Sequence, residues 1–213
     1  MSELNLGIED LKSILRAVAS DMKSHADELK ELDAKAGDGD LGVTIELAGK
    51  GMADYLVSTQ ETDPGKLLAQ CGLNINKVSP STFGTILASA FMGGGKAVTG
   101  KNSLGLPELV LAGEGAIENV KKRGKAEAGD KTMLDTLIPA VEALKQAVGQ
   151  GSGLQAVIDA TVLAAETGMK STVGMKAKFG RAQWFQDGSI GIQDGGATAM
   201  YYIIKSFMEN LPR

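Results

Sequence analysis

The sequence predicts an all-α fold, and three observations carry that prediction. Apolar residues return every three or four positions along eight stretches, no alternating run of β-branched residues competes with them, and breakers such as Asp63-Pro64 and the Gly149 to Gly153 run sit where such helices should begin or end. Ile8, Leu11, Leu15, Val18, Met22, His25 and Leu29 define one face of a first helix, with His25 on its apolar stripe as a satisfied core or edge histidine. The second helix spans Gly42 to Ser58. The third runs from Pro64 to Asn76, with Asp63-Pro64 placing proline in a first turn where a missing N–H costs nothing. Ser81 to Val98 forms the fourth, and Gly93-Gly94-Gly95 marks a flexible break near its end. Leu106 to Arg123 and Asp130 to Val148 follow, the latter carrying Pro139, which should kink it or force a local adjustment. After the Gly149 to Gly153 break come Ser152 to Lys170 and Gly195 to Leu211. Short connections make neighbours antiparallel, so the eight helices should form a bundle or a closed ring.

Composition narrows the chemistry. The 213 residues suit one largish domain or two small ones, and 43% hydrophobic against 23% charged residues exclude wholesale disorder. A formal charge of −4 lacks the cationic excess that nucleic-acid binding needs. The single cysteine, Cys71, excludes an internal disulfide and any multi-thiolate zinc site, and reads as a small core residue. One histidine removes most imidazole-based catalysis. No apolar run reaches the roughly 18 residues that span a bilayer, and the acidic, amphipathic start of the chain is unlike a signal peptide. A reducing, cytoplasmic location is the expectation.

Three segments resist helical periodicity: Leu32 to Gly42, Val78 to Thr85 and Val173 to Gly196. They are rich in Gly, Asp, Ser and Thr, and helix starts beside them offer unpaired N–H groups to an anion. The first contains Asp33, Asp38 and Asp40, with Gly37, Gly39 and Gly42 matching a generic GxGxxG pattern. A dinucleotide fingerprint needs a preceding strand, and two intervening aspartates would repel a pyrophosphate. An EF-hand beginning at Asp38 fails because Val43 and Gly49 stand where glycine and a bidentate glutamate are required. Gly95 to Asn102 approaches a P-loop, but Asn102 replaces the hydroxyl ligand and no strand leads in. Two readings of the aspartates stand on spacing alone: a solvated turn with Asp40 capping the next helix, or a set of hard oxygen ligands neutralised by magnesium.

The string Leu32-Asp33-Ala-Lys-Ala-Gly-Asp38-Gly-Asp40-Leu-Gly42 resembles the signature of the nucleotide-binding L subunit of dihydroxyacetone kinase. Two more matches follow in order. Arg123-Gly124 through Asp130-Lys-Thr-Met133-Leu-Asp135 resembles the family's GDKTM(x)D segment, and Gly180-Arg181-Ala through Asp194-Gly-Gly196-Ala-Thr198 resembles its GRA…GxxDPGA segment. Together they cover nearly the whole chain. The resemblance implies one domain over residues 1–213, a closed barrel of eight antiparallel helices with ADP or ATP at one end. It implies that Asp33, Asp38 and Asp40 ligate two Mg2+ ions, and that Leu41, Gly42, Val43 and Thr44 offer backbone groups. Ser81 and Thr82 would bind phosphate, Gly124 and Met133 would line the adenine pocket, and Asp194, Gly195 and Gly196 would close around the nucleotide. Arg181 would contact the nucleotide and neutralise the transferring phosphoryl group.

Each residue also has a plainer reading. Met133 lies on its helix's apolar stripe, Asp130 and Ser81 are placed to cap helices, and Phe179, Trp184 and Phe185 are placed to stack on Arg181. The chain departs from the family pattern at Leu41, at Pro80 and Phe83 in the phosphate loop, and at Gly195, where proline is common. The implied partner is a K-type ketose-binding kinase subunit. The phosphoryl donor is either exchangeable ATP or a phosphotransferase-system protein acting on retained ADP, and neither nucleic acid nor membrane is expected as a partner. The competing reading is a regulatory nucleotide-binding module that docks on another protein without turnover.

Overall fold

The computed structural model describes residues 4–212, and in them are nine α-helices, eight of which form a closed ring. They are α1 (Ile8–Ser24), α2 (Ala26–Asp33), α3 (Leu41–Ser58), α4 (Pro64–Val78), α5 (Thr82–Ala97), α6 (Leu106–Gly124), α7 (Leu134–Gly149), α8 (Leu154–Ser171) and α9 (Gly195–Glu209). Around the ring α1 packs on α3, each of α3 to α8 packs on the next, and α9 closes the circle against α1. The short α2 leans on α3 and α9 outside the sequence of eight. No strand is present among the described residues, and an isolated antiparallel bridge joins Leu6 to Leu104. None of these helices is long and apolar enough to cross a membrane.

The expected first helix is two. His25 breaks it, with φ −98° and ψ 5°, because Ser24 Oγ donates to the Asp21 carbonyl at 2.8 Å and His25 Nδ1 also lies 2.8 Å from it. The Asp21 carbonyl also keeps its helical bond from His25 N at 3.2 Å, so the last turn of α1 is crowded by three polar groups on one acceptor. The imidazole then stacks on Tyr202 of α9, ring centroids 3.7 Å apart, so it is the satisfied edge histidine the apolar stripe suggests.

The Gly93 to Gly95 triplet is not a flexible break. It is buried inside α5, and a Cβ there would meet the Gly115 carbonyl of α6 at 2.3 Å or the Gly65 carbonyl of α4 at 2.4 Å. Bare backbone lets three helices approach more closely than side chains would permit. Helix α7 begins at Leu134 rather than Asp130, because residues 125–133 form an irregular turn with Lys125 and Lys131 at positive φ. Pro139 lies within a continuous α7; its missing N–H releases the Asp135 carbonyl, against which Gly168 of α8 packs.

Asp63 caps α4, accepting from Lys66 N at 3.0 Å and also from Gly100 N at 2.8 Å. The core fills the ring: Leu11, Leu15, Ile45, Met52, Leu67, Ile75, Leu87 and Leu134 are all fully buried. An apolar cavity of about 180 Å³ lies among Leu15, Leu87, Leu137, Met200 and Phe207. Cys71 is buried too, and burial pushes its thiol up to about 12, which fits a packing residue.

An up-and-down ring sorts its connections by parity. The turns at 34–40, 79–81, 125–133 and 172–194 share one end, and those at 59–63, 98–105 and 150–153 share the other. The P-loop-like Gly95 to Asn102 therefore lies at the end away from the aspartates.

Candidate functional site

Helix α2 stops at Asp33, and the chain reverses through Gly37 and Gly39 before α3 starts. Gly39 has φ 75°, and a Cβ at Gly37 would meet Asp33 Oδ1 at 2.5 Å, so the turn needs glycine at both positions. The reversal gathers one carboxylate oxygen each from Asp33, Asp38 and Asp40 within 4.8 Å of one another. Asp40 stands at the cap position of α3, yet its side chain makes no capping bond; it faces the other two acids instead. Burial, then the charges of Asp38 and Asp33, raise the Asp40 carboxyl above its ordinary range, against a lowering influence from Arg181. Asp33 Oδ2 is buried without a hydrogen-bond partner. Crowded acids with an orphaned oxygen are a donor set that a hard divalent cation completes, and magnesium with its preference for carboxylate oxygen fits it.

Arg181 reaches this cluster from the α8–α9 connection. Its guanidinium pairs with Asp38 and lies 3.9 Å from Asp40. Among the described residues, the cation–π contact present is Lys205 over Tyr201 at 5.9 Å rather than Arg181 on Phe179, Trp184 or Phe185, and Phe179 packs on the core instead. Arg181 is thus a mobile-length cation parked on acids at the rim of the site.

The other predicted residues arrive at the same end. Leu41, Gly42 and Val43 are the first turn of α3, ahead of its first intrahelical bond, in which Thr44 N donates to Asp40 O. The amide of Thr44 is therefore already taken, and its hydroxyl donates to Ser81 Oγ at 3.1 Å. Ser81 also caps α5, accepting from Gly84 N at 3.0 Å, so the capping role and the location beside the site coexist. Thr82 is exposed at the start of α5. Asp194 caps α9 through Ala197 N at 2.7 Å; burial raises its carboxyl to about 6 against the lowering effects of that N–H and of Lys131. Gly195 lies against Leu41 and Asp33, and Gly196 against the ring of Phe83, so the residue that departs from the usual phosphate loop packs on the opposite wall. Gly124 faces Ile86 of α5, and Met133 is 4% exposed within the core cluster.

Sequence reasoning passed over the inside of the GDKTM-like segment. Asp130 does not start a helix. It accepts from Glu127 N at 2.7 Å and pairs with Lys178 at 2.6 Å, and these partners hold its carboxyl below the usual range. Asp135 accepts from Gly129 N at 2.5 Å and Thr132 N at 2.7 Å, which folds the turn and leaves Lys131 at φ 61°. Lys131 is buried. Ring parity was the signal available: once alternate connections are counted, the 125–133 turn must join the other three.

By fold and site the chain is a closed α-helical barrel with three carboxylates gathered at one end. It belongs to the DAK2 domain family, whose model matches residues 35–209. It is 31% identical over 182 residues to the ADP-binding subunit DhaL of the PEP-dependent dihydroxyacetone kinase of Escherichia coli, covering 85% of this chain and 87% of that protein. A Listeria innocua subunit of the same description is 30% identical over 100% of this chain and 99% of its own length. The dihydroxyacetone kinase of C. freundii, solved in complex with AMP-PNP and Mg2+, superposes with a TM-score of 0.72 at 26% identity; the match covers 98% of this chain but 35% of that one.

Proposed function

We propose that this chain is the ADP- or ATP-binding subunit of a two-component kinase for dihydroxyacetone or a related short-chain ketose. The observation that carries the reading is the gathering of Asp33, Asp38 and Asp40 under Arg181, in a chain whose full-length relatives are ADP-binding subunits. Asp33, Asp38 and Asp40 would hold two Mg2+ ions, which supply charge neutralisation to a polyphosphate that the carboxylates alone would repel. The first-turn amides of α3, the Ser81 and Thr82 start of α5 and the Asp194 to Gly196 turn surround that position and orient phosphate oxygens. Gly124 and Met133 border the base. Arg181 leaves the aspartates as phosphate arrives and places its forked donors on the group in transfer. A K-type subunit supplies the ketose, and the phosphoryl donor is ATP or a phosphotransferase-system protein recharging retained ADP.

The test is calorimetry with ADP and magnesium. Asp38→Asn or Asp40→Asn is expected to abolish magnesium-dependent ADP binding while leaving the circular dichroism spectrum unchanged; equal affinity in both variants refutes the assignment. A second reading, a regulatory module that binds nucleotide without turnover, draws on Pro80 and Phe83 in the phosphate loop. Mixing the chain with a K-type subunit, magnesium, dihydroxyacetone and each donor separates the two, because only the kinase sustains product formation.

A further inference from the structure

We propose that Lys131 is the positioning residue that holds the Arg181-bearing connection over the aspartate cluster. The proposal rests on the functional reading above and deepens it. The Lys131 ammonium donates to the carbonyls of Met175 at 3.1 Å, Ser189 at 2.5 Å and Ile192 at 2.6 Å. An ammonium has three donors, and all three are used. The acceptors flank Arg181 on both sides, so a single buried cation fastens both limbs of the segment that carries it. The neighbouring Asp130 repeats the fastening: its side chain takes Lys178 Nζ at 2.6 Å and its carbonyl accepts from Lys178 N at 3.2 Å.

The connection buries little side-chain surface of its own. Between Gly180 and Gly188 most residues are exposed, Gln186 sits at φ 50°, and Trp184 projects into solvent. Its other ties are the Lys176–Asp187 ion pair at 2.8 Å, made at the surface, Ser189 Oγ accepting from Ala177 N at 3.0 Å and donating to Gln186 O at 2.8 Å, and backbone bonds such as Gly191 N to Val173 O at 2.8 Å. A segment with so little buried apolar surface opens at low free energy unless polar anchors close it. Removing Lys131 would strand three carbonyls and release Arg181 from the mouth. Arginine cannot replace it, because a planar fork does not match three acceptors converging on one point.

The experiment uses the full chain and Mg–ADP as probe. In the wild type, amides of residues 175–192 that have partners should exchange slowly by mass spectrometry; exchange at the free-peptide rate overturns the anchor without requiring any variant to fold. In Lys131→Met, trypsin cleavage after Lys176, Lys178 and Arg181 should rise at least about tenfold while exchange in α4 and α5 stays unchanged. Mg–ADP affinity should fall by the same factor in Lys131→Met, Arg181→Ala and the double variant, because the lysine acts through the arginine. Additive losses overturn the positioning role. Absence of Mg–ADP binding in the wild type overturns the functional reading instead, and the exchange and cleavage results then stand on their own.

Discussion

At the scale of single residues, the acids of this chain divide by what faces them. Asp63 meets backbone donors. Burial raises its carboxyl, but hydrogen bonds from Lys66, Gly100 and Gly65 outweigh it and leave the group below its ordinary value. A carboxyl lowered on folding contributes stability above its unfolded value, near 4, and that contribution is lost as pH falls through the folded value. Asp63→Ala should cost about 1–2 kcal/mol and flatten this part of the acid limb, measured by urea denaturation at pH 7 and pH 3. Asp33, Asp38 and Asp40 face one another instead, which is why their replacement by asparagine should spare the fold and remove ligand affinity. Cys71 offers a control: with its thiol pushed up to about 12, it should resist a thiol-specific reagent at pH 8 until the protein unfolds. The aspartates were legible through the string they share with a known family, since spacing alone left a solvated turn as an equal reading. The sequence concealed Lys131, since a lysine in a polar turn looks like any solvated lysine until the carbonyls of a segment more than 40 residues away close on it.

Elements were legible wherever one side of a helix is apolar, and obscure where backbone geometry decides. The stripe from Ile8 to Leu29 gave no sign of the break at His25, because both halves bury residues that fit the same spacing; the boundary lies where Ser24 Oγ and His25 Nδ1 gather on the Asp21 carbonyl. Glycines in α5 were misread as breaks because close approach of helices leaves no local signature. Gly42 shows what such contact does for the site: a Cβ there would meet the Ala26 carbonyl of α2 at 2.3 Å. Gly42→Ala should therefore push α3 from α2 and separate Asp33 from Asp38 and Asp40. The expected outcome is a destabilisation of about 2 kcal/mol or more accompanied by a loss of Mg–ADP affinity, a pairing that neither a pure site lesion nor a distant packing lesion produces.

For the whole molecule, ring closure decides where chemistry can sit. Eight alternating helices deliver four connections to one end, and all four carry residues to which the proposed function gives a part: Asp33 to Asp40, Ser81, Gly124 to Met133, and Arg181 to Gly196. A ligand that touches all four ties the ring together, so Mg–ADP at one hundred times its Kd should stabilise the fold by about 2.7 kcal/mol. In a chain of this size that corresponds to a rise in Tm of roughly 5–10 °C by calorimetry. The antiparallel seating of α9 on α1 also brings Leu6 and Leu211, both fully or almost fully buried, to the end remote from these connections. The order in which the helices are threaded is thus incidental to the architecture. Joining residue 212 to residue 4 by a short linker and cutting instead at Gly151, which is exposed at φ 68° with open space where a Cβ would stand, should yield a permuted chain with the same circular dichroism and undiminished affinity for Mg–ADP.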